Sequence, residues 1–449
     1  MRKFGALLAI LMVMALGIFA VTTVTIKIEG AGSPADTTRI TNFGDAVKIT
    51  NNILSACDSP YRIKIETAWF QGGWDDYRKG YILAFKAGKE PDIRAVGHDD
   101  IAWMADGGYI LALDKYIKKY NDIAYYDVYP SLWDATKFNG KIYAIPQDTE
   151  ARPLYFRKDV LKNLGWSKEK IADFPKEIEA GNVTLDDLIA IAKEAVNKGL
   201  VKYGFLHRPS NGGFFTMMYY DFGGKLFDEA GNFIIEEKPL LNTLRFFKKM
   251  VDEGVLPSSM TNISWRSIHK AFVEGKALFW FGGTWHWAEW QRVAYHSKLG
   301  ALPESYEWEN IGFALNPPPE KGGKPITMSH PFTYVVSSHT KYPELVNLLL
   351  AVVNSPKFLA NHALASGHLV TRTSAAVYPA YAKNKFVASV TSMLKYTTVL
   401  PNSLDFKKIM DPLYKAVQAV ELGKMTPEKA VKWFEEEVES AVPNIKIVK

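Results

Sequence analysis

Between Ala271 and Gln291 the chain reads AFVEGKALFWFGGTWHWAEWQ, and in those residues it changes character three times. Ile268, Ala271 and Phe272 recur at helical spacing, and Glu274-Gly275-Lys276 ends that helix. Ala277 to Phe281 is an unbroken apolar run, the pattern of a strand buried on both faces, and Gly282-Gly283 then close it in a turn free to take positive φ. A strand therefore leaves a core at this point, with Thr284 placed to cap a second helix. Open α/β sheets hold their ligands beyond the carboxyl ends of such strands, which puts Trp285, Trp287 and Trp290 at a rim. Trp287 and Trp290 are three apart and share a helix face, so ordinary packing claims at least one of them. Trp285 stands at the first helical position, where an indole offers a wide apolar face and one donor, and is the stronger candidate for contact with a flat-faced ligand.

The rest of the chain supports a large folded protein. Its 449 residues, 47% hydrophobic and 23% charged, can bury cores for two or three units of ordinary size. The net charge of +6 is scattered, which leaves nucleic-acid binding without a footprint. Arg2 and Lys3 precede an uncharged, mostly aliphatic run from Phe4 to Ala20, so residues 1–20 read as a signal peptide or an N-terminal anchor. Cys57 is the only cysteine. It excludes an intrachain disulfide and lies too far beyond the leader to be a lipid-modified first residue.

Taken in order, Thr23 to Glu29 alternates as TVTIKIE and predicts a first strand that leaves Glu29 near a rim; Tyr61 to Thr67 predicts a second. Trp69-Phe70-Gln71-Gly72-Gly73-Trp74 follows it with two glycines to bend the chain, making Trp69 and Trp74 ligand candidates; docking of the next helix is the competing role for Trp74. Gly97-His98-Asp99-Asp100 closes a further strand. His98 has no partner at metal-ligand spacing, and no metal or other cofactor is expected. Gln147-Asp148-Thr149-Glu150-Ala151-Arg152 follows another strand, and Arg152 either pairs with Glu150 or takes an anionic ligand, pairing being the simpler reading. Thr184, with Asp187 three residues on, predicts a capped helix. Phe214, after Asn211-Gly212-Gly213, adds an aromatic candidate. His330, before Pro331, either donates to a ligand or finishes a turn. Thr426-Pro427 starts the last helix, running to Ala441.

The run GKALFWFGGTW, with Lys89-Glu90-Pro91-Asp92-Ile93, Asn139-Gly140-Lys141-Ile142-Tyr143-Ala144-Ile145-Pro146, Leu154-Tyr155-Phe156-Arg157-Lys158-Asp159 and Leu369-Val370-Thr371-Arg372-Thr373-Ser374, resembles the family 1 extracellular solute-binding proteins of ABC importers, the maltose-binding type. The likeness covers nearly the whole chain after residue 21. Val370 stands where that family usually has proline, and His330-Pro331 replaces a loop that usually contains glycine. The resemblance implies an α/β, two-lobed periplasmic-binding-protein-like fold, each lobe a mixed, mostly parallel sheet flanked by helices, with a ligand cleft between. Lobe 1 would comprise 21–149 plus 313–360 and lobe 2 would comprise 150–312 plus 361–449, with crossings near Thr149, Gly312 and Asn361. Asp99 and Glu150 fall on positions of cleft carboxylates. The implied role is capture of a carbohydrate, a di- or oligosaccharide for preference, and delivery to ABC permease subunits by a monomer at the periplasmic or cell-surface side of the membrane. No catalysis is required. Two rivals share the features: a secreted glycoside hydrolase using a carboxylate pair from Glu29, Asp99 and Glu150, and the ectodomain of a sensory receptor.

Overall fold

The alternation that starts the chain sets its first sheet. In the computed structural model, which describes residues 21–449, strand β1 (Thr22–Ala31) buries Val24, Ile26 and Ile28 on one face. The leader expected over residues 1–20 lies outside the described residues. Among the described residues no helix is long and apolar enough to cross a membrane.

Strand β1 pairs in parallel with β2 (Tyr61–Phe70) and β3 (Ile93–Gly97). The sheet is completed by β4 (Ala144–Asp148) and by a strand from late in the chain, Phe332–Val336, which lies antiparallel to both β3 and β4. Helices α1 (Phe43–Ala56) and α2 (Trp74–Lys86) cover its two faces: Phe43 and Ala46 join the cluster around Val24 and Ile26, whereas Tyr77 and Tyr81 join Ala31, Val96 and Val335. Ahead of α1 stands a single helical turn at Thr38–Thr41, with Asn42 between them donating its side-chain amide to Phe358 O.

After β4 the chain crosses to a second sheet made of β5 (Leu154–Arg157), β6 (Tyr203–Leu206), β7 (Ala277–Phe281) and β8 (Ile311–Ala314), in the spatial order β8-β5-β7-β6. All five residues of β7 are buried, as the apolar run requires. Strand β8 ends at Ala314, and from there the chain returns to the first sheet as β9 (Phe332–Val336). Both sheets are mixed as expected, but parallel pairs do not dominate. The returning β9 contributes two antiparallel pairings to the first sheet, and β5 is antiparallel to both its neighbours in the second. The long crossings bring each returning strand in from the opposite end, which a reading from local pattern does not register.

Helix caps follow the sequence where a side chain can reach. Thr184 forms a reciprocal capping box with Asp187, and Thr426 caps the helix that starts at Pro427. Thr284 does not cap: its backbone is already helical at φ −57°, ψ −30°, which turns the hydroxyl away from the following amides.

The crossings lie side by side. Thr149 and Leu369 exchange backbone hydrogen bonds of 3.0 and 2.7 Å, which pairs the first crossing with the segment after helix α3 (Pro356–Ser366). The carboxyl ends of β1, β2, β3 and β4 face these crossings from one side, and those of β6 and β7 face them from the other.

Candidate functional site

The two rims meet around the Asp148 to Arg152 crossing. On the second-sheet side, Gly282 and Gly283 do not take positive φ; they make room for close approach, since a Cβ on Gly283 would fall 1.8 Å from the Trp285 ring. The partly buried Trp285 indole stacks on His368, with ring centroids 5.6 Å apart, and the Arg152 guanidinium lies 5.6 Å from the indole centroid. Arg152 is in turn paired with Glu150, Nη2 to Oε1 at 2.7 Å and Nε to Oε1 at 2.9 Å, so pairing is its role here. His368 Nε2 stands 3.8 Å from the other Glu150 oxygen and His368 Nδ1 3.3 Å from Asp36 of the first-sheet side.

On the first-sheet side Trp74 is 42% exposed at the start of its helix and rests on Phe332, centroids 5.5 Å apart. Arg39 also packs on Phe332, its guanidinium 3.8 Å from the ring centroid, and donates through Nε to Asp148 at 2.9 Å. Burial pushes the Asp148 carboxyl up, but Arg39, His368 and His362 outweigh it and hold the group well below the usual carboxylate range. Asp99 likewise stays ionised against its burial, because His330 lies 2.7 Å away and Arg78 3.8 Å away. Burial pulls the His330 pKa down, yet Asp99 and then Glu150 outweigh it and raise it above the ordinary value, which favours the protonated ring beside Asp99.

The structure therefore gathers Trp285, Glu150, Arg152, Asp99, His330 and Trp74 about the crossing. It does not bring in the other four candidates. Trp287 is buried in the core, stacked on Phe386 with centroids 4.6 Å apart and planes 8° apart. Phe214 is buried among His207, Phe247 and Phe281. Strand β2 runs on to Phe70, so Trp69 is a strand residue rather than a loop residue, and its ring packs over Gly30 on the core face. Glu29 lies 3.4 Å from Arg94 beneath Tyr77 and Tyr81, and burial raises its pKa despite the arginine.

Sequence spacing missed four participants: Asp36, Arg39, His368 and Phe332. Asp36 and Arg39 are local neighbours, but the contacts of Asp36 with His368, of Arg39 with Asp148 and of Phe332 with Trp74 join residues far apart in the chain. Space also gives His98 the partner that spacing denied it, since potential ligand atoms of His98, Asp99 and His330 lie within 4.8 Å of one another. His98 Nε2 is occupied by Leu400 O at 2.9 Å, however, and His330 Nε2 by Asp99 Oδ1 at 2.7 Å, which suits a hydrogen-bonded network better than a metal. A separate cavity of about 740 Å³ lies between Lys238-Pro239 and Pro318-Pro319, and none of the rim residues lines it.

Known proteins share this architecture. The bacterial extracellular solute-binding protein family matches residues 62–358. The maltodextrin-binding protein MdxE of Bacillus subtilis (strain 168) is 25% identical over 331 residues, covering 70% of this chain and 69% of that protein. A maltotriose-binding protein of Pyrococcus abyssi is 25% identical over 210 residues, 47% of this chain and 41% of that one. Among solved structures, the GacH receptor of Streptomyces glaucescens GLA.O, studied unliganded and with acarbose, superposes with a TM-score of 0.76 at 18% identity over 95% of this chain and 100% of that one. T. maritima MalE3 with bound maltose gives 0.72 at 19% identity, over 93% and 100%. With two sheets joined by paired crossings, rims that converge on them and a family match over most of its length, the chain belongs to the bacterial extracellular solute-binding proteins.

Proposed function

We propose that the protein captures a carbohydrate, a di- or oligosaccharide, outside the cytoplasm and delivers it to an ABC permease by closing two lobes around it. The observation that carries this reading is the convergence of Trp74 and Trp285, from opposite rims, on a polar set made of Asp99, Glu150, Arg152 and His330. Aromatic faces strip water from the C–H surfaces of a sugar, while ionised and hydrogen-bonding groups pair with its hydroxyls. Relatives named for maltodextrin and maltotriose support the same class of ligand. In this reading lobe 1 is built on the first sheet and lobe 2 on the second, the ligand favouring the closed arrangement through its greater affinity for it. The crossings expected near Gly312 and Asn361 move, since Gly312 lies inside β8, which ends at Ala314, and Asn361 lies inside α3.

Binding proceeds without turnover. A glycosidase needs one carboxyl held protonated as a general acid beside a second, ionised one. Asp99 is kept ionised by His330 and Arg78, Glu150 is engaged by Arg152, and Glu29, whose pKa burial raises, lies against Arg94 outside the gathered set. Incubation with labelled oligosaccharides tests the whole reading: stoichiometric retention without product is expected, and steady release of shorter sugars overturns it. Mass spectrometry of the small molecule retained by the purified protein identifies the ligand.

A further inference from the structure

One rim residue carries a charge that nothing nearby compensates. Arg208 follows β6, two residues beyond Leu206, and Leu206 is in register with Trp280 of the parallel β7; Arg208 thus emerges at the same edge as Trp285. Its guanidinium lies across Gly212, where an added Cβ would stand 2.0 Å from Cζ, and 5.9 Å from the centroid of Trp265, itself 38% exposed. Only Nε is hydrogen-bonded, to Ser210 O at 2.6 Å, and among the described residues no carboxylate lies within ion-pair distance. Arg152 is close enough to repel it, while the one acid between them, Glu150, is already engaged by Arg152. Partial burial first, and the Arg152 charge second, lower the Arg208 pKa below its ordinary value.

The guanidinium is partly open to solvent and has no counter-ion within ion-pair distance, so an anionic ligand can reach it, and its planar fork matches an oxyanion with two acceptor oxygens. The backbone helps to hold it ready: glycine at 212 gives the flat group room, and the Ser210 carbonyl fixes its inner edge while Nη1 and Nη2 remain unengaged. We propose that Arg208 forms a subsite for an oxyanion substituent of the saccharide, a carboxylate or a phosphate, with Trp265 beside it as a platform for the ring that bears this group. The proposal deepens the carbohydrate reading and rests on it. It makes the preferred ligand an acidic saccharide rather than a neutral one.

Titration calorimetry on the full chain tests this with three probes: a uronic-acid disaccharide, the neutral disaccharide of the same linkage, and a sugar phosphate. At least one acidic probe is expected to bind tenfold or more tighter than the neutral one, and which of the two does so tells carboxylate from phosphate. Arg208→Gln should erase that preference while leaving neutral binding within about twofold. Gly212→Ala, which keeps the charge but displaces it, should do the same and carries the test if Arg208→Gln proves too unstable to titrate. Equal binding of neutral and acidic probes, or an equal loss of both in the two variants, overturns the subsite and leaves the carbohydrate reading intact. Failure of all three probes to bind the wild-type chain overturns both.

Discussion

Trp285 lies parallel to His368, their ring centroids 5.6 Å apart and their planes 9° from coplanar. The imidazole belongs to the segment that pairs with the first crossing, since Leu369 exchanges hydrogen bonds with Thr149. The indole is therefore positioned by the same crossing segments that join the two sheets. Its neighbour two residues on, Trp287, is held instead by Phe386 in the second core.

This difference predicts opposite phenotypes. Trp285→Ala should cost about 1 to 3 kcal/mol of saccharide binding, the scale of losing one large apolar contact, with a smaller loss of stability. Trp287→Ala should cost about 3 to 5 kcal/mol of stability, as for truncation of a buried aromatic, and leave the affinity of the folded protein largely unchanged. Calorimetric titration and thermal unfolding of the two variants check both. A melting temperature that collapses for Trp285→Ala, with affinity intact, would exchange the assignments.

Much of this arrangement is legible in the sequence, and the failures share a cause. Period-two alternation marks β1, and the apolar run ALFWF marks β7, because one or two buried faces leave their imprint on adjacent residues. Glu150 and Arg152 are two apart, so their pairing is a local matter. Trp69 was misplaced because the end of a strand is set by its neighbour's length: β1 continues to Ala31 opposite Phe70, which keeps Trp69 inside the sheet. The Asp36–His368 and Asp99–His330 contacts join residues far apart in the chain, and only the crossings bring them together. Arg208 obeys the rule that located Trp285, the carboxyl end of a buried strand, but its strand is only four residues long.

The Arg39–Asp148 pair, both side chains buried, ties the single turn after β1 to the start of the first crossing. Asp148→Asn leaves the guanidinium without its main counter-charge and should destabilise the protein by about 3 to 5 kcal/mol near pH 7. The Asp148 pKa is depressed on folding, so the stability it confers is present above the unfolded carboxyl value near 3.8 and is lost only as pH falls through the lower folded value. The deficit of the variant, measured by urea unfolding, should accordingly be about the same at pH 5 and pH 8. A deficit that vanishes by pH 5 would assign the effect to another group.

Glu307 presents the reverse case. It is fully buried, receives one hydrogen bond, from Gln291 Nε2 at 2.6 Å, and has Oε1 without a partner. Burial raises its pKa to about 9. An acid raised on folding costs nothing below its unfolded value near 4.5, and its penalty grows as pH climbs from there toward 9. Glu307→Gln should therefore stabilise the protein by about 3 kcal/mol at neutral pH, at about 1.4 kcal/mol per pH unit above the unfolded value, and by little at pH 4.5. Thermal melts of both proteins across that range decide it; a pH-independent difference would mean that Glu307 is not the titrating group.

The last prediction concerns how the two sides come together. Asn402 follows a strand that pairs with Thr327–Ser329 and precedes the helix Phe406–Glu421, which packs on the second-sheet side, yet its side chain is bound to the first-sheet side. Its amide donates to Lys137 O at 2.9 Å, and its carbonyl accepts from Ala102 N at 2.8 Å. His98 reaches Leu400 O, and Lys407 pairs with Asp75 at 3.2 Å in the same region. These contacts form a clasp between the two sides, so they should bias the unliganded protein toward closure. Removing the Asn402 side chain deletes these two hydrogen bonds and a longer one to Ala135 O at 3.5 Å, each good bond being worth roughly 0.5 to 1.5 kcal/mol, a shift sufficient to change a near-balanced equilibrium severalfold. In solution scattering, Asn402→Ala should have a larger radius of gyration than wild type without ligand, and saturating saccharide should bring both to the same smaller value. Identical radii for the two unliganded proteins would show that the clasp does not hold the lobes, and no contraction of either on adding ligand would exclude closure by rigid-lobe movement.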